Sequence, residues 1–157
     1  MSPFKNLQFS TCFPEKTLLI TCIDFFDTRE FLAHPNVLLS TRFGNTVDLT
    51  NESELNELAY FIFVEKVKHI VILGHYDCKI IEHLELNRKL EVEQNALYNP
   101  IESETERRRK IWFNVASQIK SLNRLDLIND NQIIVKGLVM DEFKQKRVEE
   151  VDLTVAF

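Results

Sequence analysis

Five short apolar runs, separated by polar segments with helical spacing, organise this chain. Thr17 to Cys22 is apolar apart from its threonines, Val37 to Thr41 is a second run, and His69 to Leu73 a third. Gln132 to Met140 is a fourth and Arg147 to Val155 a fifth. Apolar runs without strict alternation predict strands covered on both faces, as in a parallel sheet. Between them, Asn51 opens a helix with Glu54 three residues on, the pattern of a capping box, and Leu55, Leu58, Ala59, Ile62 and Phe63 recur at helical spacing. A longer amphipathic helix is predicted from about Glu104 to Leu122, with Ile111, Val115, Ile119 and Leu122 on one stripe. Asp27 to Ala33 is a short helix stopped near Pro35, and Ile80 to about Leu97 is a charged helical segment interrupted by Pro100. Asp141 to Lys146 reads as a polar turn.

Strands alternating with helices predict an α/β fold, a mostly parallel central sheet flanked by helices. Residues 1–16, with Pro3 and Pro14, read as an irregular N-terminal arm, and residues 17–157 as a single domain. A chain of 157 residues with 45% hydrophobic content supports one core.

Charge narrows the partners. The net charge is −5, with acidic and basic residues interspersed, which argues against nucleic acid. Arg107-Arg108-Arg109-Lys110 follows Glu102, Glu104 and Glu106 and reads as a solvated helix face. No apolar stretch approaches transmembrane length, and residues 1–16 do not read as a signal peptide, so neither a membrane nor secretion is expected. Three cysteines without a secretory signal predict reduced thiols and a cytoplasmic protein. With only Gly44, Gly74 and Gly137, the chain has no glycine-rich phosphate loop or dinucleotide fingerprint.

The chemistry concentrates at two strand ends. The first strand finishes in Cys22-Ile23-Asp24, and the third runs into Gly74-His75-Tyr76-Asp77-Cys78. In open α/β sheets, sites form at the carboxyl ends of strands. Two thiols, an imidazole and a carboxylate converging there are the donor set of a zinc centre. Taken singly, Cys22 and Cys78 read as buried structural thiols; it is His75 and the strand-end placement that favour a metal. Cys12 has no partner motif. His69 and His83 read as structural or exposed, His34 as solvent-facing, Tyr76 as packing, and Asp77 as a turn residue or a hydrogen-bond partner to a ligand. Trp112 reads as core or subunit interface.

These segments resemble the β-class carbonic anhydrases, in which the first strand ends in Cys-x-Asp-Ser-Arg and a later one in Gly-His-x-x-Cys-Gly. The counterparts here are Cys22-Ile23-Asp24, Arg42-Phe43-Gly44-Asn45, Glu57-Leu58-Ala59-Tyr60 and Gly74-His75-Tyr76-Asp77-Cys78, with Asn114, Val115 and Gln118 on the last long helix. The resemblance covers about residues 17–153. It implies zinc held by Cys22, His75 and Cys78, with Asp24 either hydrogen-bonded to the metal's water or ligating it directly. It further implies reversible hydration of carbon dioxide to bicarbonate, and a homodimer or higher homo-oligomer. Zinc brings the pKa of water toward about 7, and two thiolates weaken that effect, which raises the importance of Asp24.

Three departures from the family pattern change the expectation. The arginine that normally pairs with the aspartate is Phe26, and the preceding serine is Phe25. An ionised carboxylate in an apolar site seeks a cation, so Asp24 is expected to ligate zinc and close the site unless Arg29 reaches back to pair with it. The glycine after the second cysteine is Lys79, and the family's N-terminal helices have little counterpart in residues 1–16. Phe25, Phe26, Arg42 and Gly44 are the expected lining of the substrate pocket, the phenylalanines forming a narrow apolar entrance. Related hydrolysis of carbonyl sulfide or carbon disulfide, and a catalytically silent zinc-stabilised binding protein, are the alternatives.

Overall fold

The computed structural model describes residues 13, 15–25, 34–81, 83, 104–141 and 147–153. Five strands form one sheet in the order β2-β1-β3-β4-β5. They are β1 (Thr17–Cys22), β2 (Val37–Arg42), β3 (His69–His75), β4 (Ile134–Asp141) and β5 (Arg147–Glu150). The first four run parallel and β5 is antiparallel to β4. Helices α1 (Glu52–Phe63), α2 (Glu104–Leu122) and the short α3 (Asp126–Asp130) accompany them, the last not anticipated from sequence. The expected fifth strand is shorter than the apolar run suggested, and the fourth starts two residues later because Gln132 turns at φ 54°.

Side chains along each strand alternate between two cores, as the pleat dictates. Leu18, Ile20, Ile70, Ile72 and Val139 face a large cluster completed by Leu58 and Ile62 of α1, by Ile111, Val115, Ile119 and Leu122 of α2, and by Ile128 of α3. Leu19, Val71, Leu73 and Met140 face a second cluster with Phe13 and Phe25. The sheet interior is therefore buried on both sides, which explains its near-continuous apolar runs.

Two glycines set how closely α2 approaches the sheet. A Cβ on Gly137 would stand 2.5 Å from Ile119 Cδ1 and 2.6 Å from Val115 Cγ1; one on Gly74 would stand 2.7 Å from Val115 Cγ2. The stripe Ile111, Val115 and Ile119 thus seats directly on the β3 and β4 backbones.

Helix α1 departs from expectation in two places. Asn51 caps it by accepting from the Ser53 N–H at 2.9 Å, but Glu54 accepts from the Asp48 N–H at 2.7 Å instead of closing a capping box on Asn51. Phe63, expected on the buried stripe, is exposed, and Phe61 packs against the core instead. His34 is half-buried rather than solvent-facing: its ring meets Phe13 edge-on and its Nδ1 accepts from the Asn36 N–H. The expected helix over Asp27 to Ala33, Cys12, and most of the Ile80 to Leu97 segment lie outside the described residues. Among the described residues no helix is long and apolar enough to cross a membrane.

Candidate metal centre

Chain order and sheet order part company between β1 and β3. From β1 the chain moves to β2 on one side, then returns to β3 on the other. Such a reversal opens a crevice at the carboxyl ends of the two central strands, the usual place for a site in an open α/β sheet. Cys22 ends β1 and His75 ends β3, so both stand at the lip of that crevice.

Two tight turns bring in the remaining groups. The Phe25 N–H donates to the Cys22 carbonyl at 3.1 Å, folding Asp24 over the strand end, while Ile23 N–H reaches across to the Arg42 carbonyl at 2.8 Å. The Cys78 N–H donates to the His75 carbonyl at 3.2 Å, turning Cys78 back toward Cys22.

The outcome is a tight donor cluster. One ligand atom each from Cys22, Asp24, His75 and Cys78 lies within 4.8 Å of the others. The two sulfurs are 3.5 Å apart, His75 Nε2 is 2.8 Å from Asp24 Oδ1, and Cys78 Sγ is 3.7 Å from that same oxygen. A tetrahedral zinc with bonds of about 2.3 Å to sulfur and 2.0–2.2 Å to nitrogen or oxygen separates neighbouring donors by roughly 3.3–3.8 Å. The donor chemistry suits such an ion, and the sulfur–sulfur and sulfur–oxygen separations fall in that range, while His75 and Asp24 stand closer, at hydrogen-bond distance. Its wall is apolar, with the Phe25 ring centroid 5.5 Å from that of His75.

Asp24 is held from two sides. Its Oδ1 faces the donor cluster, and its Oδ2 accepts from the backbone N–H of Lys79 at 3.0 Å. Burial opposes ionisation of Asp24, but its hydrogen bond with Cys22 and the charge of His75 outweigh burial and hold the carboxyl below its ordinary range. The residue whose backbone supports the aspartate is Lys79, which stands where the family pattern has glycine.

The thiols share one proton unequally. Cys78 donates to Cys22, which lowers the Cys22 pKa to about 6 against the opposing effect of burial, with a hydrogen bond from His75 also helping. The same hydrogen bond, with burial, pushes the Cys78 thiol up. Cys22 is therefore the thiolate of the pair at neutral pH, already in the form a metal needs.

The other expected site residues divide. Phe25 is buried against His75, as an apolar wall requires. Arg42 is the register partner of Cys22, but its guanidinium points to α1, 2.7 Å from Glu57 and 3.7 Å from Glu54. Gly44 follows in a left-handed conformation (φ 72°, ψ 26°) that only glycine adopts readily. Phe26 and Arg29 lie outside the described residues. His69 pairs with Glu15, and Tyr76 is buried as packing.

Two supporting groups make contacts that the sequence did not disclose. Asn45, buried at φ 47°, donates to the Leu73 carbonyl at 3.0 Å and accepts from Asn114 at 2.8 Å, tying the β2 end to β3 and α2. Arg108, read as part of a solvated face, instead pairs at 2.7 Å with Asp141, itself buried at the end of β4 rather than in a polar turn. Only the placement of Asp141 directly after an apolar strand hinted at this.

An open, mostly parallel sheet with a Cys/Asp/His/Cys cluster at its switch point defines an α/β protein with a candidate metal site. The carbonic anhydrase family model matches residues 17–156, and the chain belongs to that family. Its fold is that of the β-carbonic anhydrases. The chain is similar to β-carbonic anhydrase CafD of Aspergillus fumigatus, with 21% identity and a TM-score of 0.67 over 88% of this chain and 90% of that one. It is similar to a tetrameric β-carbonic anhydrase of Sordaria macrospora, with 22% identity and a TM-score of 0.64 over 96% and 87%. A Coccomyxa β-carbonic anhydrase matches at 22% identity and a TM-score of 0.65 over 87% and 72%. No curated protein matches in sequence.

Proposed function

We propose that this protein is a zinc-dependent lyase that reversibly hydrates carbon dioxide to bicarbonate and a proton. Cys22, His75 and Cys78 are its standing zinc ligands, and Asp24 is a fourth that closes the site at rest. The observation carrying this reading is the convergence of four donor atoms within 4.8 Å at the switch point, in a member of the carbonic anhydrase family.

When bound, zinc supplies the Lewis acidity that makes water a nucleophile at neutral pH. The chain's own residues do the rest. Cys22 and Cys78 provide soft donors that cancel the metal's charge, and His75 supplies the neutral one. Asp24 is the catalytic carboxylate: Lys79 N–H fixes one oxygen and leaves the other facing the donors, where it would either ligate the metal or accept a hydrogen bond from the attacking water. Arg29 is the cation proposed to draw Asp24 off the metal. Phe25 and Phe26 form the apolar entrance suited to carbon dioxide, with Arg42 and Gly44 on the outer wall. We extend the reading to residues 17–157 as one domain after an N-terminal arm, and to a cytoplasmic homodimer or higher homo-oligomer with no nucleic-acid or membrane partner.

The test is stopped-flow carbon dioxide hydration across roughly pH 6.5–9, bracketing the ionisation that zinc brings toward neutrality, on protein of measured zinc content. Activity that rises with pH and disappears in Cys78→Ser supports the reading. Full zinc occupancy with no activity at any pH replaces it with a zinc-stabilised binding protein whose Asp24 stays locked. Turnover of carbonyl sulfide or carbon disulfide in place of carbon dioxide moves the assignment to the related hydrolases.

A further inference from the structure

The turn that carries His75 and Cys78 is gripped from outside the metal cluster. Between the two ligands stands Tyr76, buried, with its backbone N–H donating to the Met140 carbonyl at 3.0 Å. The Arg108 guanidinium lies over the Tyr76 ring, 4.6 Å from its centroid. One of its terminal nitrogens donates to Asp141 Oδ2 at 2.7 Å, and its Nε donates to Glu104 at 3.1 Å. Asp141 is only 2% exposed, so this ion pair is largely withdrawn from water on the carboxylate side. Glu149 of β5 stands near the Tyr76 hydroxyl. One turn further along α2, Ile111 and Val115 press on Gly74. Helix α2 thus touches the residue before His75, the residue after it, and the end of the neighbouring strand.

We propose that Arg108 is a positioning residue for the metal centre: held by Asp141, it clamps Tyr76 and so fixes the turn that presents His75 and Cys78. The inference rests on the zinc reading above. A planar guanidinium suits the task because it can stack on a ring and donate in its own plane at the same time, which a lysine ammonium cannot do. Without the clamp, the His75–Cys78 turn keeps its backbone hydrogen bond but loses the side-chain support that sets its orientation. Groups that orient metal ligands from behind typically change metal affinity by about 10- to 100-fold when removed.

The experiment measures zinc affinity by chelator competition, and the absorption of the cobalt-substituted protein, in the full chain. Arg108→Ala and Arg108→Lys are each expected to weaken zinc binding by roughly 10-fold or more and to alter the cobalt–thiolate bands. Tyr76→Phe, which keeps the ring, should stay within about twofold, and Tyr76→Leu should match Arg108→Ala without adding to it in the double variant. Ile119→Val, which loosens α2 away from the clamp, should lower the melting temperature and leave affinity and spectrum unchanged. Arg108→Lys serves if Arg108→Ala fails to fold. Arg108 variants that bind zinc as tightly as the parent, with the parent's cobalt spectrum, overturn the clamp alone. A parent that takes up no zinc overturns the reading beneath it.

Discussion

The sulfurs of Cys22 and Cys78 stand 3.5 Å apart across 56 positions of sequence, and one donates its hydrogen bond to the other. That single contact links the ends of β1 and β3 and divides the two thiols into an acid and a base.

The division has a measurable consequence. In metal-free protein, the ultraviolet absorbance of thiolate should rise by one equivalent with pH through a midpoint of about 6, because deprotonation on raising the pH produces the Cys22 thiolate, and absorbance needs no reagent to reach this buried sulfur. Cys78 should stay protonated over the same range. In Cys78→Ala the principal stabilising hydrogen bond is gone, burial remains, and the Cys22 midpoint should move upward by more than about one unit. Cys22→Ser, which removes the titrating thiol, should abolish the step and so assigns it.

Ligand removal should be visible without any assay of turnover. Zinc at a hundred times its dissociation constant stabilises a folded protein by about 2.7 kcal/mol if the unfolded chain does not bind it. The melting temperature of the parent is therefore expected to fall on chelation, whereas Cys22→Ser and His75→Ala should show little change. Calorimetry with and without chelator checks this.

The α2–sheet contact predicts a steric cost at Gly137. Its neighbours Ile119 and Val115 leave no space for a methyl group, so Gly137→Ala should destabilise by about 1–3 kcal/mol. Urea denaturation should show a lower midpoint with an unchanged slope.

Asn45 is predicted to matter more than an asparagine in a turn usually does. Asn45→Ala leaves the Leu73 carbonyl without its side-chain donor and takes one of two acceptors from the Asn114 amide, which keeps the Gly44 carbonyl. The expected loss is about 1–3 kcal/mol, the cost of stranding buried polar groups. Equilibrium unfolding gives the number, and the backbone amide shifts of residues 73–78 should move with it.

What the sequence showed and what it concealed follow from the range of the interactions. Strand positions and the α2 stripe were legible because buried runs and helical spacing are local patterns. The donor set was legible because Cys22 and His75 close their strands, where parallel topology gathers groups together. Arg108 was not legible: inside a run of four basic residues, nothing local separates the side chain that finds Asp141 from those that face water. Asn45 concealed its role for the same reason, since its partners Leu73 and Asn114 come from distant segments. Glu54 lay at the right spacing for a capping box, yet the Asp48 N–H offered a better-placed donor.

The most direct test is zinc K-edge X-ray absorption on the purified, zinc-loaded protein. The account predicts two sulfur ligands at about 2.3 Å and two nitrogen or oxygen ligands at about 2.0–2.2 Å, with one sulfur lost in Cys78→Ser. A first shell without sulfur, or a protein that retains no zinc, would contradict it.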